Sequence, residues 1–476
     1  MLMKLWGVVL IAPLAGACAV SAPRAPDLAV PAVYAAPRPG ADPPKSNLEH
    51  WWRLYQDPQL EMLVAQALEG GFDARLARAR LAEAQATRGA AHYQIYWPSG
   101  GLEASANHAS GDDDSERDID RYAASFSPAW ELDLFGRRAA SRRVAEGDLH
   151  SAEFTAEATR WVLVAQVADN LFAARGLAAR LTEARETLRI QRALEASAQA
   201  KVEHGLVPAS DAAQTRANVE TIRSEIQDLE AQLDAARRVL LALCGRGRAP
   251  LDEMPILPRI GAPPAPPATV PGDLLSRRPD IREAHWRLAS AAGRQQLAAL
   301  AFLPTLTLSP SLGISKVTGS DTASLWSLGA GAKVPLLDIP RLRKTLDARR
   351  AVSEQQVLAY ERSVQTAYVE AETALAYLDS DTRRVTMLRA AERDAAIGYE
   401  AKHEGYRRGF NALQDTLVAE GAWRQARIAL AGAEVTALQR SVQVFKALGG
   451  GWSPPAAEQG AALPPPLSST ASKKAG

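Results

Sequence analysis

An internal repeat constrains the fold of this 476-residue chain more than any other feature of its sequence. The segment "FDARLARARLAEAQ" at 72–85 recurs as "PDIREAHWRLASAA" at 279–292. Three further pairs of segments match in the same order: "YWPSGGLEASA" at 96–106 with "FLPTLTLSPSL" at 302–312, "GLVPASD" at 205–211 with "GFNALQD" at 409–415, and "LCG" at 243–245 with "LGG" at 448–450. Because the offset is nearly constant, we expect both copies to fold into the same succession of elements.

Proline-rich stretches separate the two copies from each other and from the ends of the chain. Such composition favours an extended or disordered backbone. The sequence therefore predicts six segments: a signal peptide at 1–17, a leader at 18–46, a first repeat at 47–248, a connector at 249–272, a second repeat at 273–452 and a disordered tail at 453–476.

Each repeat contains two stretches whose polarity alternates residue by residue, as in strands with one apolar face. The predicted strands lie near 101–109 and 122–131, forming a hairpin over 101–131, and at 305–315 and 324–334, forming a hairpin over 305–334. Their apolar faces carry Phe126, Trp130, Leu306, Leu308, Leu312, Ile314, Trp326 and Leu328. The opposite faces carry mainly serine, threonine, glycine and other polar residues.

The rest of each repeat has the pattern of long helices. The stretch from about 138 to 203 contains no proline, and as one helix it would be about 100 Å long. Heptad spacing of apolar residues over 219–243 and 428–445 is typical of coiled-coil-like packing. The sequence thus predicts an elongated, mainly helical protein that also contains two β-hairpins.

The N-terminus has the pattern of a secretory signal. Lys4 precedes an apolar run that ends at Leu14, and the small residues "AGAC" at 15–18 follow. Cleavage after Ala17 is one possibility. The other is a bacterial lipobox that leaves Cys18 as a lipidated first residue, although a lipobox usually has a larger aliphatic residue where this chain has Ala15. We favour lipidation of Cys18, and Ala19 in place of aspartate favours the outer membrane.

Composition argues against several functions. The net charge is +1, which gives no field for attracting nucleic acid. The two cysteines and seven scattered histidines form no metal-binding pattern, and Cys244 in its apolar stretch suits a buried, inert thiol. We find no nucleophile elbow or phosphate loop, so we predict no catalytic residues. Asp112, Asp113 and Asp114 suit a solvated hairpin tip better than a metal site.

The mature sequence has no run of 18 apolar residues, so strands would have to form any membrane-spanning part. Four strands cannot close a membrane barrel, for which about eight is the minimum. A barrel would therefore have to be shared between chains, whereas a soluble sheet would need only a protein partner for its apolar face. Strand periodicity alone leaves both arrangements open.

The chain resembles the TolC-type outer membrane efflux channels, and most of all their lipid-anchored branch. The most specific segments are "WELDLFGR" at 130–137, "LLSRRPDIREAHWRLASAA" at 274–292, "FLPTLTL" at 302–308 and "GGGW" at 449–452. The resemblance implies a homotrimer whose twelve strands share one barrel in the outer membrane and whose helices form a periplasmic tunnel. It also implies a periplasmic adaptor and an inner-membrane pump as partners, export of drugs, other small toxic solutes or metal ions, and no cofactor besides the lipid on Cys18.

The resemblance also implies roles for two helix corners. Gly205 with Asp211, and Gly409 with Asp415, mark corners at the tunnel tip, where adaptors dock in this family; a helix cap with an acidic first turn explains the same residues. The family's closing rings fall on Gln414 and Val418, and neither is the family's usual residue. We expect these two residues, with Asp415 beside them, to line a narrow aperture.

The "RRPD" motif and the function of the whole chain each have two possible interpretations. The "RRPD" motif at 277–280 suits the start of a helix better than a ligand site, with Pro279 in the first turn and Asp280 at its positive end. The alternative to a channel is a periplasmic coiled-coil adaptor or scaffold lipoprotein with a soluble sheet. The duplicated hairpins of membrane-spanning length favour the channel.

Overall fold

The computed structural model describes residues 24–36, 48–109, 119–266 and 269–450. Its helices are α1 (Pro58–Gly70), α2 (Phe72–Tyr96), α3 (Arg137–Glu203), α4 (Ala209–Leu243), α5 (Leu274–Arg277), α6 (Pro279–Leu300), α7 (Ile339–Arg407) and α8 (Leu413–Ala447). Its strands are β1 (Leu102–Ala109), β2 (Ile119–Phe126), β3 (Trp130–Leu132), β4 (Thr305–Val317) and β5 (Ala323–Lys333). Short 3-10 helices cover Leu48–Tyr55, Leu251–Glu253 and Pro271–Asp273.

The two halves of the chain repeat one order of elements: helix, strands, a very long helix and a shorter helix. The long helices α3 and α7 have 67 and 69 residues, and the shorter helices α4 and α8 have 35 each. At a rise of about 1.5 Å per residue, α3 and α7 are each about 100 Å long. The predicted helix from about 138 to 203 therefore forms almost to the residue.

All strands join one antiparallel sheet. β1 pairs with β2, and both β2 and β3 pair with β4, β2 along residues 312–317 and β3 along residues 306–308. β5 pairs with the other side of β4. β2 and β3 thus occupy one strand position, and the sheet has four positions in the order β1, β2 with β3, β4 and β5.

The predicted continuous strand over 122–131 is wrong, because the structure interrupts it between Phe126 and Trp130. Pro128 lies in the interruption and has no backbone N–H to donate to a ladder. The backbone there is held instead by an isolated bridge between Ser99 and Ala129. Gly100, with a φ of 136°, lies so close to this interruption that a Cβ atom on it would be 2.4 Å from the carbonyl oxygen of Ser127.

The main apolar core lies where α1, α3, α4 and α8 meet. Predicted heptad residues of α4 contribute to it, with Ile222, Ile226 and Leu229 buried there. Trp51 is fully buried and stacks on Phe445 with ring centroids 5.3 Å apart. This packing joins the N-terminal 3-10 helix to the end of α8.

The "RRPD" motif is a structural joint. Arg278 is 2% exposed, and its guanidinium bonds to Asp280 at 2.6 Å, Glu370 at 2.8 Å and the carbonyl oxygen of Ala447 at 3.2 Å. The same group lies over the ring of Trp161. Arg278 thereby ties α6 to α3, α7 and α8, which agrees with the architectural interpretation of the motif.

Residues 24–36, which we call the N-terminal strap, pack along α7. Glu361 accepts hydrogen bonds from Arg24 and from the backbone N–H of Asp27, while Glu372 accepts from the N–H groups of Ala35 and Ala36. Tyr34 is buried and stacked on Tyr368. This part of the leader is extended, as predicted, but it is also fixed to the helix.

The connector is ordered as well, over the residues of 249–272 that the structure describes. Met254 and Ile256 are buried in the main core, which holds this proline-rich segment against the helices. One helix among the described residues, α3, contains a window apolar enough to cross a membrane, and 61% of that window is buried inside the chain. The predicted tail at 453–476 lies outside the described residues.

Candidate channel wall and periplasmic tip

The sheet separates apolar from polar side chains completely enough to form two different faces. Register places directly paired residues on the same face, and one row crosses all four strand positions: Leu102, Phe126, Leu312 and Trp326. All four side chains are exposed. The row below it on β3 and β4 pairs Trp130 with Leu308.

The eight apolar residues singled out from the sequence all lie on this face. Phe126 and Trp326 pair with Leu312, Trp130 pairs with Leu308, and Leu328 pairs with Pro310. Leu306 and Ile314 lie on the same face by the alternation of β4. Leu306 and Leu308 are half-buried and the other six are exposed.

The height of the apolar band is somewhat below that of a typical membrane barrel. From Leu306 to Ile314 the strand rises about 26 Å, and a tilt of about 40° reduces this to about 20 Å. Above Ile314 the same face turns polar, with Lys316 paired to Tyr122, and His108 within 2.8 Å of Asp120. The usual apolar band of such barrels is about 25 Å tall.

The other face of the sheet carries mainly small and polar side chains, with the exposed Leu325 of β5 among the apolar ones. On β4 it carries Thr305, Thr307, Ser309, Ser311, Gly313 and Ser315. Gly329 and Gly331 of β5 face them, and Ser311 lies 3.1 Å from the hydroxyl of Ser127. Small side chains leave room on this side, while the hydroxyl groups suit contact with water.

The segment "WELDLFGR" builds the joint between the sheet and α3. Asp133 accepts backbone N–H groups from Gly136, Arg137 and Arg138 at 2.8 to 2.9 Å. Burial acts to raise the pKa of Asp133, but these N–H groups outweigh it and hold the pKa below its ordinary value. Gly136 adopts a φ of 82°, a conformation that glycine reaches without strain.

Two arginines complete this joint. Arg137 donates to the carbonyl oxygens of Leu300 and Leu303 at 2.9 and 2.7 Å, and Arg138 donates to that of Glu131. The bonds from Arg137 satisfy carbonyl groups at and just after the end of α6, and the bond from Arg138 reaches β3. The sequence analysis used this segment only for its resemblance to the family; the signal that marks the joint is an aspartate three residues before a glycine at a helix start.

Both helix corners lie at one end of the molecule. Gly205 and Gly409 have φ values of 67° and 80°, and Asp211 and Asp415 lie in the first turns of α4 and α8. Lys201 of α3 lies 3.7 Å above the ring of Tyr406 of α7, which joins the two corners. Leu206 and Phe410, one residue after each glycine, are exposed.

The predicted aperture residues lie together on α8. Gln414 and Val418 are four residues apart, so they share one helix face, and both are exposed, as is Asp415. Leu413 and Thr416 are buried against the chain. Whether Gln414 and Val418 close a tunnel stays a prediction, because the structure holds a single chain.

The remaining predictions concern individual residues. Cys244 is buried beside the carbonyl oxygen of Leu63, and burial raises the pKa of its thiol, which suits an inert group. Cys18 and the acidic residues at 112–114 lie outside the described residues. Within the described ranges, no group of three or more histidine, cysteine, aspartate and glutamate side chains could hold a metal ion.

Comparison with protein families matches residues 63–246 and 270–450, one segment in each repeat, to the family described as outer membrane efflux protein. The pyoverdine export outer membrane protein OpmQ of Pseudomonas aeruginosa is 29% identical over 469 residues, covering 92% of this chain and 95% of that protein. The probable outer membrane lipoprotein SilC of Salmonella typhimurium is 26% identical, covering 94% and 99%. The toluene efflux pump outer membrane protein TtgF of Pseudomonas putida is 30% identical, covering 70% of each chain.

Solved structures agree in fold. The outer-membrane channel OprN superposes with a TM-score of 0.79 at 27% identity, covering 90% of this chain and all of that one. The open-state MtrE outer membrane channel of Neisseria gonorrhoeae gives a TM-score of 0.77 at 22% identity, covering 91% and 98%.

The joint at Asp133 yields a stability prediction. Asp133→Ala leaves three N–H groups at the start of α3 without their acceptor, and we expect a loss of about 0.5–2 kcal/mol. Because folding lowers this pKa, the stabilisation is present above the unfolded pKa of about 3.9 and is lost as pH falls through the lower folded value. Thermal unfolding in detergent at neutral and acid pH measures both effects.

The matched control is Asp394→Ala, since the Asp394 side chain is 70% exposed on α7. We expect this variant to unfold at the temperature of the unmodified protein. Equal unfolding temperatures for Asp133→Ala and Asp394→Ala would contradict the assigned role of Asp133.

Proposed function

Because the chain belongs to the outer membrane efflux protein family, and is the outer membrane channel component of an efflux system, we propose that three copies form a passive exit duct. Each copy contributes its four strand positions to one closed barrel, and the long helices of the three copies form the periplasmic tunnel. The observation that carries this proposal is the two-faced sheet with its two open edges.

The open edges require further strands. Within the described residues β1 pairs only with β2, and β5 pairs only with β4. Backbone groups in lipid must be hydrogen-bonded within the protein, so an open sheet cannot span a membrane. β5 of one copy is therefore expected to pair with β1 of the next until the barrel closes.

The number of copies that we propose is based on the space that the barrel must leave open at its centre. Two copies give eight strands, and an eight-stranded barrel fills with its own side chains. Three copies give twelve strands and leave an open centre. The glycine and serine residues on the polar face, among them Ser311, Gly313, Gly329 and Gly331, support a water-filled channel over a packed interior.

The duct needs partners at its periplasmic end. We propose that a periplasmic adaptor docks at the two corners, where Leu206 and Phe410 are exposed beside Gly205 and Gly409. The adaptor connects the duct to an inner-membrane pump. The names of the relatives include export of pyoverdine, toluene and cations, which supports a conduit whose cargo, drugs or other small toxic solutes or metal ions, is selected by the pump.

We further propose that Cys18 carries the lipid anchor, and the N-terminal strap supports this. Arg24 bonds to Glu354 and Glu361, and Ala36 bonds to Glu372, so the strap runs along α7 away from the sheet. Glu354 lies about 22 Å along α7 from Ile339. The six residues from Cys18 to Arg24 span at most about 20 Å, so an acyl chain on Cys18 can reach the membrane edge of the sheet.

The barrel is tested by two adjacent residues of β4. We expect Leu312→Arg to prevent assembly in the outer membrane, because an arginine on the lipid face costs up to about 2–4 kcal/mol per chain. Ser311→Arg places the same charge on the polar face, where water surrounds it. The amount of assembled protein in outer membrane fractions measures the difference.

Ser311→Arg serves as the control for side-chain size and charge in this strand. We expect it to assemble and to change the single-channel conductance in planar bilayers. Normal assembly of Leu312→Arg, or recovery of that variant as a water-soluble protein that still binds the adaptor, would support the scaffold alternative over the channel.

The anchor is tested by the mass of the mature chain. We expect the purified protein to begin at Cys18 and to carry the mass of covalent acyl groups, and Cys18→Ala to lack that mass. Acylation contributes about 0.8 kcal/mol of membrane affinity per buried methylene group. A mature chain that begins at residue 18 without added mass, or at residue 19, would refute the lipid anchor while leaving the barrel proposal intact.

A further inference from the structure

Two pairs of the same chemistry, one buried and one half-buried, hold α3 against α8. Near the corners, Gln191 of α3 donates through Nε2 to the carboxyl group of Glu420 of α8 at 3.0 Å. Farther along, Gln443 of α8 donates through Nε2 to the carboxyl group of Asp169 of α3 at 2.7 Å. In each pair the hydrogen-bond partner of the carboxyl group is an amide and not a basic side chain. The carboxyl group belongs to α8 in the first pair and to α3 in the second. We call this contact the α3–α8 seam.

The pair near the corners lacks one hydrogen bond that a proton would supply. Gln191 is 2% exposed and Glu420 is 4% exposed. Within the described residues, the Oε1 atom of Gln191 has no hydrogen-bond donor. A protonated Glu420 can donate its O–H to this oxygen while it accepts from Nε2. The neutral acid and the amide can then form two hydrogen bonds with each other. The ionised carboxylate has no proton to donate, so it cannot form the second one.

A small cavity adjoins this pair. It has a volume of about 20 Å³, which is room for about one water molecule, and its lining includes Glu420, Thr187 and Trp423. The cavity gives a proton carrier a place beside the buried carboxyl group.

The charged groups around the two carboxyl groups do not take the place of a basic hydrogen-bond partner for either of them. Those around Glu420 are Arg180 and Glu183 of α3, Glu225 of α4, Tyr399 of α7, and Arg424 and Arg427 of α8. Arg427 is paired with Glu183, and Arg424 offsets only part of the burial that raises the pKa of Glu420.

Asp169 has a comparable setting. Asp169 is half-buried, and burial raises its pKa to about 7, although the charge of Lys446 and the bond from Gln443 act in the opposite direction. Tyr55 of the N-terminal 3-10 helix also faces this carboxyl group. Burial thus raises the pKa of both carboxyl groups of the seam, so each keeps its proton to a higher pH than an exposed carboxyl group does.

We propose that the α3–α8 seam is a proton-sensitive lock that holds α8 against α3 when Glu420 and Asp169 are protonated and releases it when they ionise. The lock acts on the periplasmic end because Gln414 and Val418 precede Glu420 on the same helix by six and two residues. A movement of α8 away from α3 therefore moves the exposed face that carries them. This inference rests on the proposed channel function.

The direction of the pH effect follows from linkage. An acid that is harder to ionise in the packed seam than in the separated one binds its proton more tightly in the packed state. The packed seam is therefore favoured at low pH and is lost as pH rises through the pKa of the packed state. Each unit of pKa difference between the two states changes their ratio by up to tenfold, about 1.36 kcal/mol.

The experiment measures KCl conductance of the purified full-length protein in planar bilayers between about pH 6 and pH 8, the range in which Asp169 titrates. We expect the open fraction of the unmodified protein to rise severalfold with pH. The double variant Glu420→Gln, Asp169→Asn mimics the protonated seam, and we expect its open fraction to stay at the low-pH level throughout. Glu220→Gln, an exposed change on α4, should keep the normal pH profile.

Hydrogen–deuterium exchange of residues 413–420, corrected for intrinsic rates, gives a second measurement that needs no variant. We expect faster exchange at the higher pH in the unmodified protein. Conductance that does not change with pH, or a double variant that keeps the normal pH profile, would overturn the lock while leaving the channel intact. No conductance at any pH would overturn the channel proposal itself, and the lock with it.

Discussion

The backbone of a membrane-spanning sheet must find a hydrogen-bond partner for every N–H and C=O group, and the rest of this structure depends on that constraint. A single chain provides four strand positions and leaves β1 and β5 with open edges in the part of the chain that the structure describes. A soluble protein could leave those edges in water. We propose that this chain, as a member of the outer membrane efflux protein family, closes them with copies of itself, so that the two-faced sheet separates lipid from lumen.

The positions of the long helices also depend on the sheet. Since β5 leads into α7 and β3 into α3, the geometry of the sheet fixes where two helices of about 100 Å begin. Asp133, Arg137 and Gly136 fix the exit angle of α3, and Arg278 ties α6 to three other helices farther down. The same elements occur twice, so one chain contains two similar pairs of long and short helices, which we propose to form part of the tunnel wall.

The sequence predicted most of this architecture because the decisive signals are local and periodic. Alternation placed all eight apolar strand residues on one face, and the absence of proline predicted the extent of α3. The interruption at Pro128 was missed because the apolar alternation continues through it to Trp130. The strap was missed because Glu361 and Glu372 lie more than 300 residues from the residues that they bind. The α3–α8 seam joins residues that are 229 and 274 positions apart, and no local pattern marks Glu420 or Asp169 as members of such a contact.

The closure of one barrel by three chains is the central claim, and the native mass of the detergent-purified mature protein tests it most directly. We predict a single species that contains three chains and stays assembled in detergent. A water-soluble monomer would contradict the claim, because its open sheet edges could not lie in lipid. A dimer would also contradict it, since eight strands leave no channel through the barrel.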